Sequence, residues 1–116
     1  MIYGYLCTDR GDQTETRRRL LVDHLRYVES IADKVLIGGP MPPSDPGDRR
    51  QFKGSILLYK VRSRDEAAAL FAADPYAKAG IWETVEEFAF APVIGDAVGG
   101  ITWEIVDGAV RRRSAS

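Results

Sequence analysis

The order in which hydrophobic periodicity changes over residues 1–91 restricts this chain more than any other feature. Residues 2–8 are rich in strand formers and alternate, with Ile2, Gly4 and Leu6 toward one side and Tyr3, Tyr5 and Cys7 toward the other. Asp9-Arg10-Gly11-Asp12 reads as a turn. Residues 14–31 then take a helical period: Leu20, Leu21, Leu25, Val28 and Ala32 recur at spacings of three and four, and Thr14 is placed to cap the start. Residues 34–38 form a second strand, closed by Gly38-Gly39-Pro40. A long loop follows over 40–53, holding four of the six prolines, and loops of that length in a small domain are usually functional or mobile. Residues 54–62 are a strand whose continuous apolar middle predicts burial on both faces. Ser63 and Glu66 make a capping box for a helix over 64–73, which Asp74-Pro75 ends. Residues 83–91 are a further strand, with Phe88 and Phe90 on one face.

Strand–helix–strand–strand–helix–strand is the ferredoxin-like plan: an α+β fold with an antiparallel sheet and two helices on one face. The other sheet face has no helix left to cover it. Bearing Tyr or Phe side chains, it would be a larger apolar patch than monomers tolerate, so two copies are expected to pack sheet against sheet. The 116 residues allow one domain. We divide them into the ferredoxin-like unit over 1–92, a C-terminal extension over 93–110, and a disordered tail over 111–116. Within the extension, 101–106 reads as a strand that covers a sheet edge or crosses to a second copy, and Asp107-Gly108 as a hairpin turn.

Composition removes whole classes of function. A net charge of −1 gives no electrostatic footprint for nucleic acid or an anionic membrane. The ferredoxin-like order is shared with RNA-recognition modules, but the stacking positions after Gly54 hold Ser55 and Leu57, not aromatics. One cysteine, Cys7, excludes an intrachain disulfide, and one histidine, His24, excludes a multi-histidine metal site; no metal or organic cofactor is expected. Gly38-Gly39 lacks the context of a dinucleotide loop. The first residues have no basic, apolar leader pattern and no apolar run nears about 20 residues, so a cytoplasmic location is expected. From residue 79 to 110 there are six acids and no Lys or Arg, whereas the first helix carries Arg17-Arg18-Arg19; two separately solvated surfaces is the simpler reading.

Two residues carry most of the chemical interest. His24 lies inside the apolar stripe of its helix, three residues after Leu21 and four before Val28. It is either a core histidine or a general acid–base, since imidazole exchanges protons near neutrality. Asp74, fixed by Pro75, is either a helix terminator or the group that orients His24 and stabilises its protonated form. Ser55 and Tyr76 are candidate donors to a ligand. Arg17 is either a clamp for a carboxylate or phenolate, or part of a solvated helix face.

Arg17, His24-Leu25, Gly39-Pro40-Met41, Gly54-Ser55, Asp74-Pro75-Tyr76 and Ala79-Gly80, in this order and spacing, resemble the YCII-like family. The resemblance spans residues 1–92. It implies a ferredoxin-like subunit that dimerises as an α+β barrel, with His24 and Asp74 as an active pair. One branch of that family eliminates chloride from a chlorinated hydroxyquinol, and related dimeric barrels include muconolactone isomerases and small monooxygenases. The chain departs from the family pattern at Leu21-Val22, where members often carry Arg-Pro, at Ala89-Phe90 in place of Pro-Phe, and in the extension past residue 92. Together these readings predict a small-molecule enzyme using His24 and Asp74 for elimination, isomerisation or hydrolysis; the alternative is a non-catalytic small-molecule-binding or regulatory dimer.

Overall fold

The computed structural model describes residues 1–43 and 51–113; the middle of the expected 40–53 loop and the end of the expected tail lie outside the described residues. β1 (Ile2–Asp9), β2 (Val35–Met41), β3 (Gly54–Lys60) and β4 (Trp82–Phe90) form one sheet in the order β2-β3-β1-β4, all neighbours antiparallel. Helices α1 (Thr14–Ser30) and α2 (Arg64–Ala72) supply the two crossovers of the ferredoxin-like plan. Among the described residues no helix is long and apolar enough to cross a membrane.

The pairing register decides which face is the core. Tyr3, Tyr5 and Cys7 of β1 lie opposite Tyr59, Leu57 and Ser55 of β3, so these residues share a face. That face meets the helices: Tyr5 stacks on Phe71 of α2 with ring centroids 4.3 Å apart, and meets Tyr59 edge-on at 5.8 Å. Leu20 of α1 and Leu70 of α2 pack against the same cluster. The other face holds Ile37, Ile56, Phe88 and Phe90, all exposed. The expected apolar face without helices is therefore present, and it is the phenylalanine face. Of the β3 residues on it, Leu58 is buried and Ile56 is exposed, so the expected burial of β3 on both sides holds at Leu58 and ends at Ile56.

Local chemistry shifts several element ends. Thr14 is the first helical residue of α1 and not its cap; Gln13 holds the N-cap position without a side-chain capping bond, and Asp12 before it accepts from the Thr14 amide (2.9 Å) and hydroxyl (2.6 Å). β2 continues through Gly38-Gly39-Pro40 to Met41. It is an edge strand, where one side has no ladder to complete and proline is tolerated. Ser63 accepts from the Glu66 amide as expected, but Glu66 reaches back to the Arg62 amide. Asp74-Pro75 ends α2 and also starts a short helix, α3 (Pro75–Lys78), with Pro75 at its first position and Asp74 as its cap.

Gly54 is where backbones approach too closely for a side chain. A Cβ there would sit 1.8 Å from the carbonyl oxygen of Cys7 on β1. Gly54→Ala must push β1 and β3 apart and is expected to cost about 1–3 kcal/mol, read as a lower midpoint in urea denaturation.

The extension forms two small hairpins, β5 (Ile94–Gly95) with β6 (Gly100–Ile101), and β7 (Trp103–Val106) with β8 (Ala109–Arg112). The Asp107-Gly108 turn is confirmed, both residues having positive φ (51° and 75°). Two expectations are corrected. The strand over 101–106 breaks at Thr102, and among the described residues neither hairpin joins the main sheet. Arg111 and Arg112 are not tail: they lie in β8, where Arg111 faces Glu104 at 2.6 Å. The radius of gyration, 16.9 Å, exceeds the roughly 13 Å of a compact chain this long, as projecting hairpins require.

Candidate functional site

Four of the five residues singled out from sequence (Arg17, His24, Ser55 and Tyr76) line one cavity of about 260 Å³, and the fifth, Asp74, stands behind His24. The cavity lies between α1 and the sheet. Leu21, Leu25 and Val28 of α1, and Gly38, Gly39 and Pro40 of β2, form much of its wall. The exposure of Leu21 and Leu25, 45% and 47%, thus has a physical reason: part of the α1 stripe bounds a cavity instead of filling a core.

His24 Nδ1 lies 2.8 Å from Asp74 Oδ1. Asp74 is 1% exposed, and the same oxygen accepts from the Tyr76 amide at 2.9 Å. The α3 cap therefore fixes the carboxylate before it meets the imidazole. An ionised carboxylate only accepts, so the shared proton belongs to Nδ1, and Nε2 is the ring nitrogen left for the cavity. Tyr76 stacks under the imidazole, centroids 4.0 Å apart and planes 14° from parallel. Its hydroxyl donates to the Arg17 carbonyl at 3.0 Å. Burial raises its pKa, keeping that hydroxyl protonated. The part Tyr76 plays in the cavity is therefore its ring, since its hydroxyl is committed to α1.

Arg17 is buried, which corrects the solvated-face reading. Its Nε and Nη2 donate to the two oxygens of Asp9 at 2.9 and 2.8 Å, and Nη2 also reaches Ser55 Oγ at 3.1 Å and the Gly54 carbonyl at 3.3 Å. The guanidinium lies 5.3 Å from the Phe52 ring centre and 5.4 Å from that of Tyr76. The acids over residues 79–110 are not its partners; Arg18 pairs instead with Glu15 on its own helix. Sequence reasoning missed Asp9, reading it as part of a turn, although it ends β1 and is buried. It also missed Trp82, whose ring stacks on Phe71 and borders the cavity, and whose buried indole N–H has no partner among the described residues. Cys7 is no nucleophile: burial foremost, with the nearby Asp9 charge, pushes its thiol up to about 12.

This geometry can be set beside known proteins. A family model described as the YCII-related domain matches residues 1–91. The chain belongs to the YCII-related family. Protein YciI from Escherichia coli O6:H1 and from Shigella flexneri are each 33% identical to it over 97 residues, covering 80% of this chain and 99% of theirs. Among solved structures it is similar to 5-chloro-2-hydroxyhydroquinone dehydrochlorinase (TftG) from Burkholderia phenoliruptrix AC1100, in complex with 2,5-dihydroxybenzoquinone. The TM-score is 0.72 and the identity 27%, covering 83% of this chain and 97% of that one. The YCII-related segment holds His24, Asp74 and every residue bordering the cavity, whereas β5 to β8 lie beyond it.

Proposed function

We propose that this YCII-related protein is a small-molecule enzyme in which His24 moves a proton and Asp74 orients it. The observation that carries the reading is the 2.8 Å contact between His24 Nδ1 and a buried, doubly engaged Asp74 at the wall of a largely apolar cavity. A core histidine needs a partner but no cavity. In an elimination, Nε2 takes a proton from a carbon or hydroxyl group of the substrate while the leaving group departs with its bonding electron pair. In an isomerisation, the same nitrogen returns the proton at another atom. The likeness to TftG, a dehydrochlorinase solved with a quinone bound, supports an oxygenated six-membered ring as ligand. The direct test is chloride release from 5-chloro-2-hydroxyhydroquinone, with calorimetric binding of 2,5-dihydroxybenzoquinone alongside. Turnover of the first supports the enzyme; binding of the second without turnover supports the non-catalytic alternative.

The reading includes a homodimer in the cytoplasm, closed through the face bearing Ile37, Ile56, Phe88 and Phe90, with the β7–β8 hairpin reaching across to the second copy. A two-stranded hairpin is marginal alone, and Ile105 and Val110, paired on one face of this one, are 66% and 69% exposed. Equilibrium sedimentation should give twice the 12.9 kDa chain mass, and Phe88→Asp should return the monomer. A wild-type monomer at micromolar concentration contradicts the assembly.

A further inference from the structure

Arg17 has donors to spare. Its Nε and Nη2 bind the two oxygens of Asp9, and Nη2 also serves Ser55 Oγ and the Gly54 carbonyl. A guanidinium carries N–H groups on three nitrogens, so both hydrogens of Nη1 remain. Among the described residues they meet no acceptor. Nη1 is not sealed in the core either: the Trp82 indole nitrogen is the one side-chain nitrogen or oxygen there that is both buried and unpartnered. Arg17 is otherwise buried, and the open space it borders is the cavity. Asp9 grips the other edge of the guanidinium, and the rings of Phe52 and Tyr76 lie 5.3 and 5.4 Å from its centre, so the free edge is held in place. Ser55 supplies a second donor beside it. Its oxygen accepts from Nη2 at 3.1 Å, which leaves its own hydroxyl proton to give. Fixed donors in a largely apolar cavity act most strongly on charge that develops there.

We propose that Arg17 Nη1 and the Ser55 hydroxyl form an oxyanion site, which stabilises the negative oxygen produced when His24 removes a proton. The proposal rests on the proton transfer described above and adds where its charge goes. Loss of a proton from a ring hydroxyl leaves a phenolate. Loss from a carbon beside a carbonyl sends the C–H electron pair onto the carbonyl oxygen as an enolate. In both cases the pair moves back into the ring as the leaving group departs with its own. The same donors hold an acidic hydroxyquinone as its anion. The test uses 4-nitrophenol, whose phenol and phenolate absorb at different wavelengths. It is bound to the His24→Asn protein, in which no imidazole can take its proton, at a pH where it is mostly neutral in solution. The phenolate-to-phenol ratio is expected to be at least about ten-fold higher bound than free. Asp9 and Asp74 both oppose ionisation of the probe, so neither can produce that gain. Ser55→Ala, which leaves the Arg17–Asp9 pair in place, should lower the ratio by roughly ten-fold. Arg17→Lys, measured well below its melting temperature, should lower it at least as far. A bound probe no more ionised than the free one, no binding of the probe, or a ratio unchanged by Ser55→Ala overturns the site. With His24 absent from the measurement, these outcomes are independent of proton transfer by the imidazole, which chloride release reads.

Discussion

Arg17→Met is expected to destabilise the fold by about 3–5 kcal/mol, lowering the melting temperature by roughly 10–25 °C. Methionine fills similar space, so the loss comes from charge. Asp9 would remain at the end of β1 with its side chain 2% exposed and no cation against either oxygen. Ser55 Oγ and the Gly54 carbonyl would lose their donor as well. Arg17→Lys should not rescue fully, because an ammonium cannot meet both carboxylate oxygens in a planar fork. Pairing Arg17→Met with Asp9→Leu should recover much of the loss, since an apolar pair can replace a buried ion pair at little cost. Circular-dichroism melts of the single and double variants measure the coupling directly. A single-variant loss below about 1 kcal/mol would mean the pair is solvated and contributes as a surface pair does.

His24→Asn is expected to lower turnover by about 10²–10⁴-fold with the fold retained. Asparagine is the informative replacement because its amide nitrogen overlays Nδ1. It continues to donate to Asp74, so the buried carboxylate is not left unpaired. What disappears is the ring nitrogen facing the cavity. Asp74→Asn should produce a loss of the same order by another route: the amide no longer dictates which imidazole nitrogen carries the proton. The two effects should be strongly non-additive, as for groups acting as one unit. Single-turnover kinetics on 5-chloro-2-hydroxyhydroquinone separate a loss in chemistry from a loss in binding. Full activity in His24→Asn would assign the chemistry elsewhere.

The sequence was informative wherever structure follows from local pattern. Both long helices and all four strands of the main sheet lie within a few residues of their expected places, because each buries a face whose period is written in its own residues. The departures are non-local. β2 runs on through Gly38-Gly39-Pro40 because the sheet order puts it at an edge, and order is a property of the whole sheet. Arg111 and Arg112 read as a charged tail until β7 supplies Glu104 opposite. Asp9 looks like a turn residue because the arginine it holds lies a full helical turn into the next element. α3 is four residues long, too short to show a period. For the site, helical spacing was enough to turn His24 inward. Its meeting with Asp74, fifty residues away, is one of two readings that the residues leave open, because Asp74-Pro75 also reads as a helix terminator; the cap of α3 is what brings the two together.

Proton transfer by His24 requires Asp74 to hold the proton on Nδ1 and leave Nε2 open to the cavity. Because His24 is the one histidine in the chain, nitrogen-15 NMR of the imidazole reads this without assignment. The predicted result is a proton on Nδ1, with the Nε2 resonance moving when 2,5-dihydroxybenzoquinone is added, and with Asp74→Asn redistributing the proton between the two nitrogens. A ring protonated at Nε2, or a tautomer ratio unchanged by Asp74→Asn, would contradict it.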